Sequence, residues 1–237
     1  MFTKKFLILN CTKIILNSAH SYNWVNLGGA VKHPEAGQGF DLSPEVNKAI
    51  GITDSDVKVI AANGYGDANM LRAIISQEKP DAIVHFTDPR YWTWMYAMEN
   101  EIRQHCPLIF YTIWDDLPDP LYNRNYYESC DWLGAISRQT YGIVSRLTSL
   151  TDKPTWKPHS DWQVAYVPHG INENEFKPTE VPSDFRNKIL AGKEYDFIFF
   201  WSNRNIRRKQ PSDVIMAFKE FCDIYYISFE GKKEIKE

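Results

Sequence analysis

The chain has 237 residues, 43% of them hydrophobic and 24% charged, with a formal net charge of −3. That balance excludes a disordered or collagen-like chain, and the near-neutral charge excludes a general nucleic-acid binder, which would carry a clear basic excess. At roughly 100–200 residues per domain, the length allows one large domain or two small ones. Aromatic residues make up 14% of the chain, enough for a stacking cleft and equally for a large core.

No apolar run approaches the ~20 residues of a membrane span. Lys4 and Lys5 precede Phe6-Leu7-Ile8-Leu9, a run that Asn10 interrupts too early for a signal-peptide core, so a first buried strand is expected there. Cys11, Cys106, Cys130 and Cys222 are scattered with no CxxC spacing, which indicates neither a zinc site nor a disulfide framework. A reducing, cytoplasmic setting is the expectation. Gly28-Gly29 and Gly37-Gln38-Gly39 lie in the first fifty residues without a clear strand-to-helix context.

From there strand-like and helix-like segments alternate. Val57–Ala62 reads as a strand, Asn63–Asp67 as a glycine turn, and Ala68–Glu78 as a helix with Met70, Leu71, Ile74 and Ile75 at helical spacing, stopped by Lys79-Pro80. Asp81–Phe86 is a short apolar strand, and Thr87 or Asp88 can cap a following helix over Arg90–Gln104 with Pro89 at its first position. Pro107–Trp114 and Asp131–Ile136 read as further strands, with a loop over Asp115–Pro120. Ser137 can cap a helix from Arg138 to about Leu150. Gln163–Val167 and the very apolar Tyr195–Trp201 are the last strands expected. Asn172–Asn187 between them reads as a polar linker, and Pro211–Cys222 as the last helix. Such βαβ units predict a parallel, Rossmann-like sheet with helices on both faces, and ligands at the carboxyl ends of its strands.

The densest chemical signal is Trp201-Ser202-Asn203-Arg204-Asn205-Ile206-Arg207-Arg208-Lys209-Gln210-Pro211, with four basic side chains in six residues just before a helix. Backbone N–H groups and the positive end of a helix dipole converge on such a loop. Arg adds a planar fork and Lys a point charge, a combination suited to a diphosphate. This segment resembles the opening of the nucleotide-binding domain in the large retaining group of GT-B glycosyltransferases. Arg204 and Lys209 fall on the Arg and Lys that contact the donor diphosphate in that family, with Arg208 beside them and Ala217-Phe218 at the helix end. Asn203 and Gln210 stand where the family usually has glycine. Three further stretches are similar to the family's pattern: Glu78–His85, Asp131–Ser137, and Tyr166–Asn172 followed by Phe176-Lys177-Pro178, where Gly170 fits a tight turn at which, by the resemblance, backbone approaches the donor diphosphate, and Asn172 replaces the usual Asp.

The resemblance implies an acceptor-side Rossmann-like domain over 1–172, a linker over 173–195 and, from 196 to 237, the first βα unit of a nucleotide-sugar-binding domain. A complete second domain would need at least ~100–150 residues, so the expectation is a truncated member that does not turn over alone. Glu230 and Glu237 have the spacing of the family's acidic pair but follow the first helix too closely to be it. The implied chemistry is transfer of a sugar, with retention, from a nucleotide-sugar to a hydroxyl of a glycan, lipid or protein. Arg204 and Lys209 would stabilise the departing diphosphate, and neither a cofactor nor a metal is expected. A peripheral membrane contact, or a partner chain completing the second domain, would be compatible with this reading. On the acceptor side, His85, Asp88, Asp115, Asp116 and His169 lie at strand ends or in the loops after them, where a sugar hydroxyl could bond. Two other readings remain open from residues alone: a non-catalytic α/β binding subunit, and a protein whose basic loop binds a free nucleotide or phosphate.

Overall fold

The structure, a computed structural model, describes residues 5–9, 22–30, 32, 34–150, 159–170, 176–180, 183–193 and 198–224. The chain divides into two compact units, Met1–Gly170 and Ile171–Glu237.

The first unit is built on an eight-stranded sheet. Its strands are β1 (Lys5–Leu9), β2 (Asn23–Ala30), β3 (Gly39–Asp41), β4 (Val57–Asn63), β5 (Ala82–His85), β6 (Leu108–Thr112), β7 (Trp132–Ala135) and β8 (Val164–Tyr166), in spatial order β3-β4-β2-β1-β5-β6-β7-β8. All neighbours run parallel except β3, which lies antiparallel on β4. The chain first builds outward from β1 through β2 to β4, then returns to β5 on the other side of β1 and builds outward again. That reversal between β1 and β5 is the switch point at which open α/β sheets leave a crevice at the strands' carboxyl ends. The architecture is α/β and Rossmann-like, as the alternating segments predict.

Alternation along the strands divides the core. Leu7, Val25, Ile83, Leu108, Phe110 and Leu133 join one large cluster with Leu71, Ile74 and Ile75 of α2 (Ala68–Glu78) and Ile143, Val144 and Leu147 of α6 (Arg138–Thr148). Trp24 and Val57, with Phe6 and Val84 against them, form a smaller cluster with Val46 of α1 (Ser43–Ile50). Successive strand residues point to opposite faces, so both faces are covered.

Local chemistry sets the boundaries. The Asp67 carboxylate accepts from the Asn69 and Met70 amides at the start of α2, and the Ser137 hydroxyl accepts from the Thr140 amide at the start of α6. Asp88 caps a 3₁₀ turn, Pro89–Tyr91, with Pro at its first position. The single helix expected over 90–104 is broken: after that turn come α3 (Thr93–Ala97) and α4 (Glu99–Ile102), interrupted at Trp92 and Met98. Both interruptions bury their side chains in the large core, so packing overrides continuous helix hydrogen bonding. A short α5 (Arg124–Glu128) precedes β7. The glycines that carried no clear context in sequence fall in or beside strands. Gly28 and Gly29 are inside β2, opposite Ala61 and Ala62 of β4, and Gly39 opens β3.

In the second unit, α7 (Ser183–Leu190) forms within the stretch read as linker, and α8 (Pro211–Ile224) forms where the last helix is expected. The strand expected over 195–201 is not formed at 198–201; its first residues lie outside the described ones. Ile198, Phe199, Phe200 and Trp201 are exposed, with Phe199 against Phe218 and Phe221 of α8. An apolar run becomes a strand only when a neighbour takes its backbone hydrogen bonds, and among the described residues 198–201 form no strand. Among the described residues no helix is long and apolar enough to cross a membrane.

Candidate functional site

Two places gather the chemistry: the carboxyl edge of the sheet in the first unit, and the basic turn in the second.

At the carboxyl edge, His85 ends β5. It is 0% exposed, stacks on Phe110 at 4.7 Å, lies 5.3 Å from Trp92, and holds Tyr96 Oη with Nδ1 at 2.7 Å. Burial pushes its pKa down to about 3, against a small opposing pull from Asp88, so the ring is neutral at physiological pH. This corrects the expectation that His85 presents a donor to a ligand: the side chain is a core member, and its strand-end position is legible in sequence while its inward direction is not. Asp88 is committed as well. Its oxygens cap the Arg90 amide at 3.0 Å and take Arg90 Nε at 2.9 and 3.1 Å. The Arg90 side chain is the largest cause of a lowered Asp88 pKa, and burial opposes it. The Arg90 guanidinium then lies 5.7 Å over the Trp114 ring.

Asp115 and Asp116 follow β6 and are exposed. Their loop is tied to the start of α6: Gln139 Nε2 donates to the Asp115 carbonyl at 3.0 Å and Thr140 Oγ1 to the Trp114 carbonyl at 2.7 Å. Arg146 grips Asp119 with two hydrogen bonds of 2.6 Å. The two carboxylates are therefore carried on a braced loop.

His169 is exposed and rests near Phe86 and Tyr111, at 5.6 and 5.5 Å between ring centres. Tyr111 Oη donates to the Val167 carbonyl at 2.8 Å and lies 3.1 Å from His169 Nδ1. A hydroxyl has one proton. With that proton on Val167, the arrangement satisfying both contacts has His169 donating from Nδ1 and Nε2 left as an acceptor. Gly170 shows none of the strain expected of a tight turn: its φ is outside the left-handed region, and among the described residues nothing lies within 4 Å of where a Cβ would stand.

Beside β2 and β4 the edge holds a cavity of about 20 Å³, lined by Leu27, Gly29, Ala62, Gly64, Tyr65 and Trp92. Sequence reasoning missed it, because it exists only where two glycine backbones meet: a Cβ on Gly29 would stand 2.0 Å from the Gly64 carbonyl oxygen.

In the second unit, Arg207–Lys209 form a 3₁₀ turn that Gln210 closes in the left-handed conformation, φ 48 and ψ 52, one residue before Pro211 opens α8. Gln210 thus adopts the backbone shape that a glycine favours, at a cost of roughly 1–2 kcal/mol for a residue with a Cβ. Arg204, Arg207 and Arg208 are exposed and Lys209 is half-buried. Asp213 also stands in the first turn of α8 and offsets part of the positive field there. Among the described residues no three His, Cys, Asp or Glu side chains gather as metal ligands would. Cys106, Cys130 and Cys222 are buried free thiols, and Cys11 lies outside the described residues.

No family model matches the chain, and no curated protein matches it. Among solved structures, one with a similar fold is "Trehalose-6-phosphate from E. coli bound with UDP-2-fluoro glucose", at 12% identity and a TM-score of 0.46. The match covers 79% of this chain and 54% of that one, so the chain spans about half its length. The likeness is one of fold alone.

Proposed function

We propose that the chain carries the acceptor side, and the opening of the donor side, of a retaining GT-B glycosyltransferase acting on a nucleotide-sugar. The observation that carries this reading is the basic turn: Arg204, Arg207, Arg208 and Lys209 precede α8, with Gln210 holding a glycine-like backbone at the turn's end. The parallel sheet with its switch point between β1 and β5 supplies the acceptor side.

In this reading Arg204 offers a planar pair of N–H donors to one phosphate and Lys209 a point charge to the other. Their fixed positive charge favours the state in which the donor's glycosidic bond has broken and the diphosphate carries the electrons. The acceptor hydroxyl would find hydrogen-bond acceptors at His169 Nε2 and on the braced carboxylates of Asp115 and Asp116. A cytoplasmic setting, with a glycan, lipid or protein as acceptor, belongs to the same proposal.

Photoaffinity labelling tests the donor assignment. An azido derivative of a UDP- or GDP-sugar should mark peptides within 198–224, and excess unlabelled UDP or GDP should suppress the mark. Labelling spread along the chain and indifferent to competitor would overturn it.

A further inference from the structure

Tyr111 lies in β6, and β7 stands between it and β8, yet its side chain reaches the segment that leaves β8. In register Tyr111 stands beside Gly134 of β7, and Gly134 beside Ala165 of β8. Residues at one level of neighbouring strands share a face of the sheet. The missing side chain of Gly134 opens the way, since a Cβ there would stand 2.9 Å from Tyr111 Cδ2. The Tyr111 ring therefore crosses β7 over a glycine. At the far side its hydroxyl donates to the Val167 carbonyl at 2.8 Å and lies 3.1 Å from His169 Nδ1.

Aromatic contacts hold both rings in this arrangement. Phe86 stacks on Tyr111 at 5.2 Å with 20° between the planes, and lies 5.6 Å from His169. Tyr111 is 7% exposed, whereas His169 is exposed, so a core side chain anchors a surface one. The hydrogen bond made by one ring nitrogen decides which nitrogen of a neutral imidazole carries the proton. The Tyr111 proton goes to Val167, which leaves the phenol oxygen to accept from His169. The His169 proton is thereby placed on Nδ1 and a lone pair on Nε2, for which no partner is found among the described residues.

We propose that Tyr111 is a positioning residue: reaching across β7 over Gly134, it fixes His169 in the Nδ1–H form, so that Nε2 accepts a hydrogen bond from a sugar hydroxyl of the acceptor. The choice of a sugar rests on the glycosyltransferase reading above; the fixed tautomer rests on the geometry. In the opposite tautomer Nε2 carries the proton and cannot accept from that hydroxyl.

Long-range ¹H–¹⁵N correlations of the ¹⁵N-labelled full chain, recorded with the ring neutral, read the tautomer directly. The His169 signals are those missing in His169→Gln. The parent should carry the proton on Nδ1. In Tyr111→Phe, which keeps the ring and removes only the hydroxyl, the proton should move predominantly to Nε2. A purely structural role for Tyr111 would leave the tautomer unchanged. Titration with methyl α-glucopyranoside and methyl α-mannopyranoside should shift the parent's Nε2 signal saturably for at least one of them, with an affinity roughly fivefold weaker in Tyr111→Phe. A proton on Nε2 in the parent, or still on Nδ1 in Tyr111→Phe, would overturn the proposal. A fixed tautomer with neither pyranoside bound would remove the sugar-binding role. Nucleotide labelling within 198–224 reports on the donor reading separately. Labelling with neither pyranoside bound strikes this role and leaves the donor assignment standing, and pyranoside binding without labelling does the reverse.

Discussion

Urea unfolding at a series of pH values should show stability falling as pH drops from 6.5 towards 3, by up to about 1.4 kcal/mol per pH unit through His85 alone. In the unfolded chain this imidazole takes a proton near 6.5, and in the fold its pKa is pushed down to about 3. Between those values the unfolded state binds the proton and the folded state does not. The His85 contribution is therefore intact above pH 6.5, declines through the window and falls no further below about 3. The cause is packing: Phe110, Trp92 and Tyr96 enclose the ring, and the pull of Asp88 is too weak to compensate. His85→Asn should be less stable at neutral pH but lose this part of the slope. His159, whose pKa burial also lowers, and the lowered carboxyls of Glu78 and Asp88 add slope in the same direction. An identical slope in His85→Asn and the parent would contradict the burial account.

Gly29→Ala should cost about 2–3 kcal/mol and lower Tm by roughly 4–12 °C. A methyl group there would stand 2.0 Å from the Gly64 carbonyl oxygen, a backbone atom. Gly64 itself has φ of 61, so its loop cannot retreat without leaving a conformation that glycine alone adopts cheaply. Gly28→Ala, one residue earlier in β2, is the control. Its methyl meets only Val59 Cγ1 at 3.1 Å, a side-chain atom that can give, and the expected cost is under about 1 kcal/mol. Equal losses in the two variants would show that strand propensity, and not the approach of the two backbones, decides the cost.

These cases show where the sequence is readable. Asp81–Phe86 and Pro107–Trp114 announce themselves because strands buried on both faces are continuous apolar runs. Asp88 and Ser137 are legible as caps because their side chains act within a few residues of themselves. β2 is opaque: Asn23, Asn26, Gly28 and Gly29 interrupt the apolar run, yet the strand lies between β1 and β4 with Asn26 buried. The break in the expected 90–104 helix depends on what Trp92 and Met98 meet in the core, which no local pattern records. Tyr195–Trp201 is a strong strand pattern, and residues 198–201 nevertheless form no strand and are exposed. Hydrophobicity sets what a segment would bury; pairing depends on what else folds beside it.

At the sites, position was readable and direction was not. His85 and His169 both follow from strand ends, but one points into the core beside Tyr96 and the other lies exposed beside Phe86. Glu78 illustrates a further limit. Burial would raise its pKa, but Lys58 Nζ at 2.6 Å and Lys5 Nζ at 3.2 Å overcome that and hold it lowered, across 20 and 73 residues of chain. The basic turn is legible because its four cations fall within six residues of sequence, whereas the Tyr65–Tyr91 stack joins two loops whose neighbourhood only the sheet creates.

We propose that Arg204 and Lys209 form an anion site for a nucleoside diphosphate. Calorimetric titration of UDP and of GDP into the full chain, and into Arg204→Ala and Lys209→Ala, tests it most directly. The parent should bind at least one of the two nucleotides saturably, and each variant should lose at least roughly tenfold in affinity, since each removes a charged hydrogen-bond donor. Absence of binding by the parent, or an affinity unchanged in both variants, would contradict it.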